Sequence, residues 1–217
     1  MKQYHTIIFD LDGTLLNTLA DLAKAVNHVN RSFGFPVCTT EQVRLALGNG
    51  VGYLIEHCIP EGKKNAMYQQ CILEFQDYYA AHMQEETEPF HGISELLRVL
   101  SDAGKKIAVV SNKFDLAVKE LCRFYFPDTI SAAIGESPAV ARKPAPDTIF
   151  EAMQILHAQK ETSVYIGDSE VDIRTAQNAG IPCISVTWGF REKEFLKSHG
   201  AVCFADTPEQ LGTMLLD

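Results

Sequence analysis

Apolar positions along the chain fall into two rhythms. Short, nearly continuous apolar runs at Thr6–Phe9, Ile107–Ser111, Ser163–Gly167 and Pro182–Thr187 have the length and β-branched content of buried strands. Between them, three-to-four-residue spacing over Leu116–Phe124, Thr148–His157 and Val171–Ala179 predicts helices, and Gly104 and Gly180 stand where a helix would end just before the next strand. A weaker strand is expected near Ile130–Ile134. A last one is expected near Ala201–Phe204, ahead of a helix with Thr207 as its cap and Pro208 in its first position. Such strand and helix alternation predicts an α/β fold built on a doubly wound parallel sheet.

Residues 16–86 depart from that rhythm. Asp21–Phe33, Thr40–Leu47, Gly50–His57 and Lys63–Met83 carry helical periodicity without a convincing strand, and Gly34-Phe35-Pro36, Gly48-Asn49-Gly50 and Ile59-Pro60-Glu61-Gly62 separate them. The expected organisation is therefore a core made of residues 1–15 and 87–217, with a small α-helical domain inserted at 16–86. One continuous α/β domain with extra helices is the alternative.

Charge narrows the partners. Lys and Arg total 19 against 28 Asp and Glu, a formal charge of −9, which disfavours nucleic acid and anionic membranes as ligands. No apolar run approaches the ~20 residues that span a bilayer, and the first residues lack the basic and apolar regions of a signal peptide. A cytoplasmic location is the expectation. The six cysteines show no metal-ligand spacing and read as reduced thiols. A monomer and a homodimer are both compatible with the sequence.

The chemistry gathers where the predicted strands end. Ile7-Ile8-Phe9-Asp10-Leu11-Asp12-Gly13-Thr14 delivers two carboxylates, two residues apart, into a Gly-Thr turn, and strand alternation would send Asp10 and Asp12 to one side. Close like charges call for a proton or a hard cation such as Mg²⁺, which would also attract an anionic substrate. Ser111 and Asn112 follow a strand and can offer a hydroxyl, an amide and backbone N–H groups to phosphate oxygens. Lys143 precedes Pro144-Ala145-Pro146-Asp147 and supplies a cation. Asp168, in Gly167-Asp168-Ser169, and Asp172 add carboxylates for a metal. In a parallel α/β sheet all four pieces meet beyond the strands' carboxyl ends. Together they contain what an in-line phosphoryl displacement requires: a nucleophile, an acid/base, phosphate donors and metal carboxylates. In isolation each has a plainer reading, as a turn, a helix cap or a surface Lys-Pro.

This order of motifs resembles the haloacid dehalogenase superfamily of aspartate-nucleophile phosphatases over essentially the whole chain. The resemblance implies that Asp10 becomes phosphorylated, that Asp12 is the general acid and base, and that Ser111, Asn112 and Lys143 cradle the phosphoryl group. It places Mg²⁺ on Asp10, the backbone carbonyl of Asp12, and Asp168, with Asp172 in support, and it makes the helical insert a cap that selects a small phosphorylated metabolite. Leu47-Gly48-Asn49-Gly50-Val51 and Thr187-Trp188-Gly189-Phe190 are similar to the phosphoglycolate phosphatase branch. Gly48, Asn49 and Gly50 would offer N–H groups at a helix start to a substrate carboxylate, with Arg44 a turn upstream; the other reading is a connector and a solvated arginine. The implied substrate is 2-phosphoglycolate. Alternatives are a broad sugar-phosphate, nucleotide or pyrophosphate phosphatase, a phosphomutase, or a non-catalytic module that binds phosphorylated ligands. Dehalogenation is disfavoured, because relatives that perform it lack the Asp12-type acid and the Gly-Thr after it.

Overall fold

The structure, a computed structural model, describes residues 3–216. In chain order, β1 (Thr6–Phe9) and β2 (Leu16–Asn17) precede four helices, α1 (Leu19–Ser32), α2 (Thr40–Leu45), α3 (Gly50–Cys58) and α4 (Tyr68–His82). After β3 (Glu88–Pro89) come α5 (Ile93–Asp102), β4 (Lys106–Phe114), α6 (Asp115–Tyr125), β5 (Ala132–Glu136) and α7 (Asp147–Ile155). The chain finishes with β6 (Ser163–Gly167), α8 (Glu170–Ala179), β7 (Cys183–Val186), α9 (Lys193–Ser198), β8 (Phe204–Ala205) and α10 (Pro208–Leu216).

Six strands form one sheet in the order β5-β4-β1-β6-β7-β8, and every pairing within it is parallel. β1 lies centrally and is buried throughout, as a parallel strand covered on both faces must be. Its neighbours β4 and β6 come from opposite directions in the winding, so a crevice opens beyond its carboxyl end. One face packs Ile8, Ala108, Val110, Ile134 and Tyr165 against Ile149 and Ala152 of α7 and Ala176 and Ala179 of α8. Gly180 ends α8 in the left-handed region (φ 66°), which turns the chain into β7. α10 starts as expected: the Thr207 hydroxyl accepts the N–H of Gln210 at 3.2 Å, just ahead of Pro208.

The chain divides into two compact units, Met1–Leu16 with Pro89–Asp217, and Asn17–Glu88. Within the second, α1 packs on α4, and Thr39 caps α2 through a capping box with Gln42. The buried carboxylate of Asp21 accepts the N–H groups of Glu86 (3.0 Å) and Thr87 (2.9 Å) and the Thr87 hydroxyl (2.9 Å). These bonds tie Glu86 and Thr87 to α1.

Other elements depart from the sequence expectation for local reasons. The expected helix Lys63–Met83 is broken into a 3-10 turn at Gly62–Lys64 and α4 from Tyr68. Between them the Asn65 side chain donates to the Pro60 carbonyl (3.0 Å) and accepts the Met67 N–H (2.9 Å), which competes with helical bonding. The last strand is shorter and later than expected, because pairing with β7 is confined to Phe204 and Ala205. The six-residue helix α9 had no apolar periodicity to announce it.

The Asp21 clamp generates a stability prediction. Asp21→Ala leaves the buried N–H and hydroxyl of Thr87, and the part-buried N–H of Glu86, without their acceptor, so chemical denaturation should register a loss of about 2–4 kcal/mol. A change below about 0.5 kcal/mol would contradict the clamp.

Candidate active site

β1 ends at Phe9, one residue short of Asp10, so the Asp-x-Asp segment lies in the turn beyond the strand rather than in strand alternation. The Asp10 N–H donates to the Ile166 carbonyl of β6 at 2.8 Å, which holds the start of this turn in the crevice. Gly13 adopts φ 86°, and a Cβ there would stand 2.4 Å from Asp168 Oδ2; a Cβ on Gly189 would stand 2.3 Å from Asp168 Cβ. The absence of side chains at both lets two loops close onto Asp168.

Three buried carboxylates meet at this point. Asp10, Asp168 and Asp172 each present an oxygen within 4.8 Å of the others. Lys143 neutralises part of the charge: its Nζ donates to Asp10 Oδ1 at 2.7 Å, to Asp172 Oδ1 at 2.8 Å and to the Tyr165 hydroxyl at 3.1 Å. Burial opposes charge on Lys143, but Asp10 and Asp172 outweigh it and hold the ammonium above its ordinary pKa. Tyr165, on the sheet face shared with α7 and α8, donates its hydroxyl to Asp172 Oδ1 at 2.9 Å. Burial and the two nearby carboxylates keep that phenol protonated.

Asp172 is fully engaged. Its Oδ2 accepts the Ser169 N–H (3.0 Å) and hydroxyl (2.6 Å), and Ser169 in turn caps α8, so the residue spans helix start and lysine. Asp168 is held differently. Thr14 donates to its Oδ1 at 3.1 Å and the Phe190 N–H to its Oδ2 at 2.7 Å, while the Trp188 indole donates to the Thr14 carbonyl at 3.0 Å. Burial, then the charge of Asp172, raise the Asp168 pKa to about 7. Burial and Asp172 likewise hold Asp10 well above the carboxylate range despite Lys143. The missing counter-charge and the all-oxygen donor set fit a hard divalent cation.

Ser111 and Asn112 are buried beside this cluster. The Asn112 amide donates to the Lys143 carbonyl at 2.9 Å, which joins the end of β4 to the lysine segment. Asp12 is not part of the carboxylate cluster; its Oδ1 lies 3.1 Å from the Nζ of Lys113. Gly48, Asn49, Gly50 and Arg44 belong to the helical unit. There Gly48 (φ 101°) and Gly50 (φ 80°) flank Asn49 at the start of α3, and Arg44 is gripped by Glu41 through Nε (2.8 Å) and Nη2 (2.7 Å).

Several contributors were absent from the sequence reading. Lys113 directly follows Ser-Asn at the end of an apolar strand, and Tyr165 interrupts an apolar one; a polar residue in a buried strand was the available signal. Arg191 and Glu170, paired at 3.3 Å beside Asp168, carried no such signal.

Residues 7–186 match the haloacid dehalogenase-like hydrolase family. The chain belongs to it. Phosphoglycolate phosphatase of Caulobacter vibrioides is 33% identical over 97% of this chain and 92% of its own length. Phosphoglycolate phosphatase of Pseudomonas putida is 30% identical over 93% of this chain and 74% of its own. A crystal structure of a phosphoglycolate phosphatase candidate from Lactobacillus delbrueckii subsp. bulgaricus superimposes with a TM-score of 0.94, at 37% identity over 99% of each chain. This haloacid dehalogenase-like chain is accordingly a phosphatase, a phosphoric monoester hydrolase, with an α/β doubly wound core.

The raised carboxylates generate a pH prediction. Folded Asp168 keeps its proton to about pH 7, whereas unfolded it loses it near pH 4, so the metal-free protein should lose stability as pH rises between those values. Thermal unfolding should show a steeper decline for wild type than for Asp168→Asn. A hard divalent cation should raise the unfolding temperature more above pH 7 than at about pH 5. Equal slopes, or cation stabilisation independent of pH, would contradict the assignment.

Proposed function

We propose that this phosphatase hydrolyses a small phosphate monoester, 2-phosphoglycolate, through a phospho-aspartate on Asp10. The observation that carries the reading is the Lys143 ammonium, 2.7 Å from Asp10 Oδ1 inside a cluster of buried carboxylates. A carboxylate approaches a phosphate dianion only when positive charge offsets the repulsion, and Lys143 supplies it to Asp10. Asp10 forms a bond to phosphorus as the ester P–O bond breaks. Asp12 gives its proton to the departing oxygen, then takes one from the water that hydrolyses the acyl phosphate. Ser111, Asn112 and Lys143 hold the phosphoryl oxygens, in keeping with the Asn112 to Lys143 bond.

Mg²⁺ would be held by Asp10 and Asp168, whose oxygens stand in the buried cluster, together with the Asp12 carbonyl, and would supply positive charge to the phosphoryl group. Asp172 supports them indirectly, since its oxygens already accept from Lys143, Tyr165 and Ser169. Selection of a small phosphorylated metabolite is assigned to the helical unit, whose Gly48-Asn49-Gly50 turn carries N–H groups suited to a carboxylate. What supports 2-phosphoglycolate is the activity named for the relatives. The engagement of Arg44 by Glu41 favours a second reading, a broader phosphatase that lacks a dedicated carboxylate-binding arginine.

A panel of 2-phosphoglycolate, sugar phosphates, nucleotides, pyrophosphate and p-nitrophenyl phosphate, with Mg²⁺ or EDTA, separates these readings. A kcat/KM for 2-phosphoglycolate at least ~100-fold above the others supports the narrow reading, and a flat profile supports the broad one. Asp10→Asn should remove turnover while retaining the fold. Lys143→Met should lower kcat by ~10³-fold or more if the ammonium serves the displacement. Full activity in EDTA, or in either variant, would contradict the mechanism.

A further inference from the structure

β4 does not end as a regular strand. Its ladder with β5 pairs Val110 with Ile134 and next Phe114 with Glu136, so four steps along β4 match two along β5. The surplus is taken up in Ser111, Asn112 and Lys113, and a bulge of this kind redirects side chains that alternation would have dispersed. All three are buried. The Lys113 N–H donates to the Ser111 hydroxyl at 3.1 Å, which fixes the base of the lysine, and its Nζ reaches Asp12 Oδ1 at 3.1 Å. The side chains are 5% and 18% exposed respectively, so this is an internal pair with a narrow opening on the carboxylate side.

Desolvating an ammonium largely cancels the attraction within such a pair, so it is a poor source of net stability. Its effect is directional. Asp10 and Asp12 stand two residues apart, yet each carboxylate has its own lysine, Lys143 for one and Lys113 for the other. Asp12 is thereby held apart from the three-carboxylate cluster, while its neighbour's oxygens remain within it.

We propose that Lys113 is a positioning residue: its ammonium holds the Asp12 carboxylate where it exchanges a proton with the leaving oxygen. The inference rests on the reading of Asp12 as acid and base given above. It predicts a dependence on leaving group that a structural lysine would not produce. An alkyl ester expels a strongly basic alkoxide and needs the acid, whereas p-nitrophenyl phosphate expels a weakly basic phenolate and does not.

Steady-state kcat/KM is measured for wild type and Lys113→Met with 2-phosphoglycolate, or another alkyl phosphate that wild type hydrolyses, and with p-nitrophenyl phosphate. Lys113→Met should lose ~30-fold or more on the alkyl ester and less than ~5-fold on the aryl ester. Equal losses on both would overturn the proposal and indicate a contact with the phosphoryl group or a general structural role. No loss on either would overturn it as well. Should Lys113→Met fail to fold, Asp12→Asn with Lys113→Met removes both charges and leaves neither buried alone. Single-turnover release of p-nitrophenol by this double variant should match Asp12→Asn within about threefold, and an added loss beyond ~10-fold would overturn the proposal. Wild-type silence towards every ester refutes the phosphatase mechanism and this inference with it; wild-type turnover with equal losses refutes only the role of Lys113.

Discussion

Three carboxylates buried within 4.8 Å of one another, two of which share the ammonium of Lys143, are the constraint around which the core is organised. Removing such charges from water costs several kcal/mol each, and one lysine cannot compensate three acids. The remaining cost is met by hydrogen bonds at every oxygen of Asp172, by Thr14 and the Phe190 N–H on Asp168, and by the raised proton affinity of Asp10 and Asp168. A site whose clustered carboxylates hold protons for want of positive charge is the state in which a hard cation could take the place of those protons and, with a phosphate ester, restore balance.

The parallel sheet makes this concentration achievable. β1 lies between β4 and β6, so the turn after Phe9, the bulged end of β4 and the start of α8 converge from three distant parts of the sequence. Lys143 arrives in the segment before α7, anchored through its carbonyl to Asn112. The loop after β7 contributes backbone and indole donors, with Gly189 admitting the close approach. Rigid strands thus carry the polar groups to one edge, and short loops set their final direction.

Much of this was legible from the chain. The strands Thr6–Phe9 and Ser163–Gly167 are apolar runs that tertiary structure had no reason to override, and the residues after them are polar at the positions where a site would form. Asp10, Lys143, Asp168 and Asp172 could be named because their side chains have no comparable structural use together. Lys113 was passed over because a lysine at a strand end usually reaches solvent, and only the register shift against β5 turns it inward. Asp172 could be placed near the site but not given its hydrogen bonds, because Lys143 and Tyr165 reach its Oδ1 from separate parts of the chain. The pairing of Arg44 with Glu41 follows from i,i+3 helical spacing, a plain local rule that competes with any recognition role.

The chemistry proposed for this site makes Asp10 a covalent participant, not only an acidic neighbour of a metal. Rapid acid quench of the Mg²⁺-loaded protein with excess 2-phosphoglycolate or p-nitrophenyl phosphate, followed by peptide mass spectrometry, tests that claim directly. The account predicts a phosphoryl adduct confined to the peptide containing Asp10, formed only with the metal present and convertible by borohydride to a reduced side chain at that residue. Turnover without an adduct on Asp10, or with one on another residue, would contradict it.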